Sequence, residues 1–409
     1  MKSLVWIDEL GEKPTTVLPL VTDYEALLAG ADPGYVFPDL DEDTRATTFY
    51  TTGTTGLPKG VYFSHRQLVL HTLALRNAIT GRGHGRLNAG DVYMPATPMF
   101  HVHAWGLPYV ATTLGLKQVY PGKYSPDVML DLIARERVTF SHCVPTILQM
   151  LLAHPKSAEG MLDGWKIIIG GAALPWALAK AAMERGIDVT AGYGMSETCP
   201  VLTLAHLRPQ DEALDLDRQL ETRIKAGRPI PFVDIRVVDA QMQDVPHDGV
   251  TPGEIVARAP WLTQGYLHDP ANSEKLWLGG WLHTGDIGVI GADGYLKITD
   301  RLKDVIKTGG EWVSSLDIED LILRHPGVSE AVVIGIPDPK WTERPLAIVV
   351  AKEGCSVSDG EIKAGLQDYA CKGVISRYAV PDQIVFVPAL PKTSVGKPDK
   401  KRLREQFGP

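Results

Sequence analysis

Apolar and polar positions along the chain change rhythm twice. Between residue 47 and about residue 200, short extended runs rich in β-branched and aromatic residues recur at Thr47-Thr48-Phe49-Tyr50, Asp91-Val92-Tyr93-Met94, Val138-Thr139-Phe140-Ser141 and Lys166-Ile167-Ile168-Ile169. Segments with helical apolar spacing separate them, at 67–78, 126–136, 145–153 and 175–185. This alternation predicts a parallel sheet with helices packed on it, and active sites in such sheets lie beyond the carboxyl ends of the strands. From about 225 to 300 the strands shorten and are divided by Gly, Pro and Asp, as at Gly253-Glu254-Ile255-Val256-Ala257 and Gly294-Tyr295-Leu296-Lys297-Ile298. That pattern predicts an antiparallel, β-barrel-like subdomain. After Arg301 the outline is helix, strand, strand, helix, strand, helix, with residues 329–334 and 346–350 as core strands. Before residue 47 the only expected elements are a strand over 4–8 and a short helix over 23–28. The expected organisation is α/β: a parallel-sheet region over 1–224, the barrel-like unit over 225–301, and a small mobile α+β domain over 304–409.

Composition narrows the class. With 409 residues the chain can bury two or three real cores. A net charge of −8 argues against a general nucleic-acid binder. Cys143, Cys199, Cys355 and Cys371 form no C-x-x-C pair, which points to reduced thiols in a cytoplasmic protein rather than a zinc site or a disulfide framework. The N-terminal apolar run is too short for a signal peptide, and no window approaches a membrane span.

Candidate chemistry concentrates first in Thr51-Thr52-Gly53-Thr54-Thr55-Gly56-Leu57-Pro58-Lys59-Gly60. Glycines let backbone N–H groups close round an anion, threonine hydroxyls donate to phosphate oxygens, and Lys59 adds charge. The stretch reads as strand, phosphate loop, helix. It is not a Walker loop: counted from Gly53, the required second glycine falls on Pro58. A triphosphate is the expected ligand, a plain surface turn the alternative.

Further stretches repeat the theme. Gly170-Gly171-Ala172-Ala173 follows a strand and would let a ligand approach the backbone closely. Gly192-Tyr193-Gly194-Met195-Ser196-Glu197-Thr198 offers an aromatic face between glycines, then a carboxylate. Trp281-Leu282-His283-Thr284-Gly285-Asp286 ends a strand with an acid suited to ribose hydroxyls, and residues 300–304 and 308–312 bracket a domain junction. Lys392-Thr393-Ser394-Val395-Gly396-Lys397 sits on a turn before a basic C-terminal helix. Each alone has an ordinary structural explanation; their joint appearance in this order carries the argument.

In that order the sequence resembles the adenylate-forming enzymes: acyl-CoA synthetases, luciferases and adenylation domains. Pro98-Met99-Phe100-His101-Val102-His103-Ala104-Trp105-Gly106 and residues 300–315 look most like medium- and long-chain fatty-acyl-CoA synthetases. The resemblance implies ATP, Mg²⁺ and CoA as reaction partners of a fatty or other carboxylic acid. It implies Mg²⁺ at Thr51 and Glu197, and the phosphates within the loop that includes Thr52, Gly53, Thr54, Thr55, Gly56 and Lys59. The nucleotide site would add Gly171, Ala172, Gly192, Gly194, Met195 and Ser196, with adenine on Tyr193 and ribose at Asp286 and Arg301. Lys397 would bridge the acid and the α-phosphate. The acid would lie near His101, Trp105, Gly170 and Gly171. Gly309, Gly310, Glu311 and Trp312 would meet CoA after rotation about a hinge at Lys303. His103, where close relatives often carry Asn, is expected to pack a helix against the sheet; Trp105 is open to either a tunnel-gating or a packing role.

Relatives of this kind carry about a hundred or more residues before the phosphate loop, a domain-sized piece. The shorter stretch here is expected to reflect a shortened product, a fragment or a split partner, and an exposed sheet edge would be covered by a homodimer mate or another chain. The expected activity is ATP-dependent acyl-CoA synthesis through an acyl-adenylate. The alternatives are an aryl- or short-chain acid CoA ligase, or a truncated, catalytically impaired nucleotide-binding scaffold.

Overall fold

The isoleucine run Lys166–Ile169 lies at the centre of a seven-stranded sheet. In spatial order the strands are Lys117–Gln118, Val92–Pro95, Phe140–Cys143, Lys166–Ile169, Asp188–Gly194, Val201–Leu204 and Arg228–Pro229. The first five are parallel and the last two antiparallel. Ile168 packs into one hydrophobic cluster, while Ile167 and Ile169 pack into another. Apolar residues are therefore needed on both faces, which is why this strand has no polar alternation.

The structure is a computed structural model, and it describes residues 4–7, 17, 20–51, 58–81, 83, 85–122, 124–157, 160–309, 311–393 and 398–408. The chain divides into two compact units, Met1–Thr44 and Arg45–Pro409. In the first, strand Leu4–Trp6 pairs in parallel with Leu20–Asp23, and Asp23 caps the helix Tyr24–Ala29.

Within the second unit, helices Pro126–Glu136 and Pro145–Ala153 follow the expected bounds, each opening on a proline whose missing N–H costs nothing at a helix start. Helix Trp176–Met183 is three residues shorter than the expected 175–185, with Pro175 at its N-cap. The expected strand–loop–helix at the phosphate loop is corrected: Arg45–Thr51 pairs antiparallel with a second strand, Lys59–Ser64, and only then does helix His65–Ile79 begin. Ser64 and Gln67 form a reciprocal capping box that fixes this start. The loop thus connects a hairpin, and Val61 and Phe63 of its second strand are fully buried.

Residues 234–301 form a four-stranded antiparallel sheet in chain order: Asp234–Val238, Gly253–Arg258, Leu282–Ile290 and Leu296–Arg301. Among the described residues its pairings make an open ladder rather than a closed barrel. Asp286, expected at a strand end, lies inside Leu282–Ile290 and is in register with Arg301.

Past Arg301 a hairpin, Ile306–Thr308 with Glu311–Val313, precedes the first helix, Ser315–Leu323, so the expected outline lacked two strands. Strands Val328–Asp338 and Thr342–Ala351 form the long centre of this sheet, joined by Gln383–Phe386. Val333, Ala347 and Val349 face one apolar cluster; Val332, Ile334, Leu346 and Ile348 face another, with helix Lys400–Phe407 contributing Leu403.

Candidate active site

A cleft of about 1960 Å³ opens beyond the carboxyl ends of strands Phe140–Cys143, Lys166–Ile169 and Asp188–Gly194. Fifteen of the candidate residues line it: Thr51, His101, Trp105, Gly170, Gly171, Ala172, Gly192, Tyr193, Gly194, Met195, Ser196, Glu197, Asp286, Arg301 and Lys303. Residues separated by up to about 250 positions in sequence are thereby drawn to one surface.

The glycines are dictated by close approaches. A Cβ on Gly170 would lie 3.1 Å from the Gly192 carbonyl oxygen and 3.2 Å from the Trp105 ring. On Gly194 it would meet the Pro200 carbonyl oxygen at 1.8 Å, so only glycine fits that strand end. Gly171 has a φ of 77°, which turns the chain away from the sheet.

At one end of the cleft the Tyr193 hydroxyl donates to Asp286 Oδ2 at 2.7 Å, and Arg301 Nε lies 3.5 Å from Asp286 Oδ1. Desolvation and the neighbouring carboxylate raise the Tyr193 phenol well above its usual range. An aromatic face beside a carboxylate and a guanidinium suits a nucleoside: a base to stack and hydroxyls to hydrogen-bond.

Glu197, on the turn Ser196–Thr198, is buried. Tyr266 donates to its Oε1 at 2.7 Å, and Lys59 Nζ lies 4.6 Å above the Tyr266 ring. Burial raises the Glu197 carboxyl above its ordinary value, partly offset by the Tyr266 hydrogen bond and the Lys59 charge. Lys59 thus sits over Tyr266 beside Glu197, and it is not part of the cleft wall. Sequence reasoning missed Tyr266, although an aromatic following a glycine, the signal that singled out Tyr193, is present at Gly265-Tyr266. It also missed Thr284, whose Oγ1 accepts from the Asp286 N–H at 3.1 Å.

Trp105 leaves a short helical turn, Val102–Trp105, that is left-handed: residues 102–106 have φ of 50°, 57°, 47°, 60° and 74°. Gly106 ends it against His71, where a Cβ would sit 2.9 Å from the imidazole. His103 hydrogen-bonds Thr47 Oγ1 through Nε2 at 2.8 Å and packs edge-on to Phe49 at 5.2 Å, in keeping with the packing role expected for it.

The C-terminal sheet region supplies another wall, through Asp317, Asp320, Thr393, Pro398, Asp399 and Lys400 among others. Lys400 Nζ donates to Ser315 Oγ at 2.6 Å and pairs with partly buried Glu319 at 2.8 Å, and Asp300 Oδ2 accepts from the Ser315 N–H at 2.7 Å. Asp320 accepts from the Trp176 N–H at 2.9 Å, and Arg404 pairs with Asp304 at 2.6 Å. Gly309, Glu311 and Trp312 are not in the wall: Gly309 packs on Trp341, and Trp312 is about half exposed under Lys307. Thr52, Gly53, Thr54, Thr55, Gly56, Gly310 and Lys397 lie outside the described residues.

A largely parallel sheet buried on both faces, with a cleft that gathers Tyr193, Asp286 and Arg301 beside the buried carboxylate of Glu197, suits an enzyme that binds a nucleotide. The profile of the AMP-binding enzyme family matches residues 6–267, that of the AMP-binding enzyme C-terminal domain matches 317–397, and the chain belongs to this family. Among its relatives it is similar to a long-chain-fatty-acid–CoA ligase of Thermus thermophilus, 42% identical over 94% of this chain and 69% of that protein. It is 38% identical to a 3-methylmercaptopropionyl-CoA ligase of Ruegeria lacuscaerulensis, over 100% of this chain and 74% of that one. Among solved structures, ATP-bound MatB from Rhodopseudomonas palustris superposes with a TM-score of 0.81 at 29% identity, covering 95% of this chain and 75% of that one. Among the described residues no helix is long and apolar enough to cross a membrane, and all four cysteines are free.

Proposed function

We propose that the protein is an AMP-forming acid–thiol ligase: it activates a carboxylic acid, with a fatty acid as the reference substrate, by ATP and transfers the acyl group to CoA. The observation that carries this reading is the convergence of Tyr193, Asp286 and Arg301 with Glu197 and Thr51 in the cleft that Trp105 and Gly170 also line.

A carboxylate is a poor electrophile because its leaving group would be oxide. In the first step a carboxylate oxygen attacks the α-phosphorus, the bond to the β-phosphate oxygen breaks, and pyrophosphate leaves. Tyr193 and Asp286 hold the nucleoside while Arg301 steadies Asp286. Lys397 supplies positive charge where the two anions meet, and a fixed charge suffices without proton transfer. The donor set fits Mg²⁺: Tyr266 occupies one oxygen of Glu197, leaving Oε2 and Thr51 for a cation, and no cluster of three His, Cys, Asp or Glu groups exists among the described residues to form an all-protein cage. Mg²⁺ characteristically takes one or two carboxylates plus phosphate oxygens, and would there neutralise developing phosphate charge.

In the second step the CoA thiolate attacks the acyl carbonyl carbon and AMP departs. Thr393, Pro398, Asp399 and Lys400 line the cleft, whereas Gly309, Glu311 and Trp312 do not. This supports reading the arrangement as the one for adenylate formation. Rotation about Lys303 would then bring residues 309–312 to the thiol, since two incompatible tasks share one site. Free cysteines support a cytoplasmic setting. The test is product stoichiometry with a panel of acids: equal amounts of acyl-CoA, AMP and pyrophosphate are expected, and ADP or acid-independent ATP cleavage would refute the reading.

A further inference from the structure

The acyl side of the cleft is lined by apolar Val102, Trp105, Ile168, Val201 and Leu204. His142 lies directly behind Trp105: the ring centroids are 5.0 Å apart, inclined at 45°. It is in register with Ile168 on the neighbouring strand and is fully buried. Both ring nitrogens are held, Nδ1 by the Tyr93 hydroxyl at 3.2 Å and Nε2 by Thr97 Oγ1 at 2.5 Å. The Tyr93 ring also stacks on it at 5.8 Å and 13°. Burial lowers the His142 pKa to about 3, so the imidazole is neutral at working pH.

A buried imidazole with two partners is costly to place and rigid once placed. Trp105, by contrast, stands on a left-handed turn of L-residues, a conformation that their Cβ atoms disfavour. Its position must therefore be imposed by what it packs against: Gly170 on one side and His142 behind. We propose that His142 is a positioning residue that sets the depth of the acyl pocket, holding Trp105 closed so that preferred acids carry acyl groups ending at that indole. The proposal rests on the reading of this cleft as the acid-activating site. A smaller residue at 142 opens space behind the indole, and longer chains gain burial there.

The test is calorimetric binding of acyl-sulfamoyl-adenosines of increasing straight-chain length, stable mimics of the acyl-adenylate. For the wild type, affinity should stop rising once the chain reaches Trp105. For His142→Ala it should continue to rise by about fourfold per added methylene, with affinity for the shortest member unchanged. Thr97→Val with Tyr93→Phe leaves the imidazole but removes its anchors, and should extend the profile part of the way; His142→Phe restores bulk and should keep the wild-type limit. Coincident length profiles for wild type, His142→Ala and the anchor double variant would overturn the proposal. Failure of every member to bind the wild type would instead overturn the functional reading on which it rests.

Discussion

The Asp286 carboxylate has two jobs in this account, and they separate experimentally. It accepts the Tyr193 hydroxyl and faces Arg301, and it is expected to hold ribose hydroxyls. Hydrogen bonds to a charged group contribute about 1.5–3 kcal/mol each. Asp286→Ala should therefore raise the KM for ATP roughly 10- to 150-fold. It also orphans the Tyr193 hydroxyl, at about 1 kcal/mol for a half-buried donor. Tyr193→Phe alone keeps the aromatic face and should change the KM for ATP little. The double variant has no orphaned hydroxyl, so urea unfolding should recover most of the lost stability while the KM for ATP stays high. Steady-state kinetics and urea melts on the four proteins complete the cycle. Recovery of the KM together with stability would refute the reasoning, because Asp286 would then act only by steadying Tyr193.

Four further outcomes follow from the same geometry. Because the Glu197 carboxyl is raised by burial, it protonates sooner than a free glutamate as pH falls, so Mg²⁺ dependence should steepen on the acid side. The native state favours its neutral form, so its ionisation costs stability above that raised value and the cost vanishes as pH drops through it; Glu197→Gln should raise the melting temperature at neutral pH while weakening Mg²⁺-dependent turnover, and a lowered melting temperature would contradict this. Gly194→Ala forces a Cβ against the Pro200 carbonyl and should destabilise by more than the ~3 kcal/mol at the top of the usual overpacking range, measured by urea melts. Lys303→Pro should leave acid-dependent pyrophosphate exchange nearly intact and slow thioester formation on the order of a hundredfold, as misplaced reacting groups do; equal slowing of both half-reactions would refute the hinge.

Local signals were legible wherever a residue type forces the backbone. Pro126 and Pro145 set two helix starts, and the isoleucines at 167–169 report burial on both faces of the sheet. The second hairpin strand was hidden because Lys59 and Gly60 read as the end of a phosphate loop, although Val61 and Phe63 alternate with Tyr62 as a half-buried strand does. Asp286 reads as a strand end in sequence, yet register with Arg301 carries the strand through it although Gly and Asp are poor strand formers. The Tyr266–Glu197 hydrogen bond and the His142–Trp105 contact join residues distant in sequence, so no local pattern could reveal them.

On this reading the acid and ATP react in this cleft under the charge of Lys397. This is tested most directly by following labelled pyrophosphate into ATP, with and without acid and in the absence of CoA. Exchange should require the acid and disappear in Lys397→Ala, while calorimetric ATP affinity remains within a few fold of the wild type. Acid-dependent exchange that survives Lys397→Ala unchanged would contradict it.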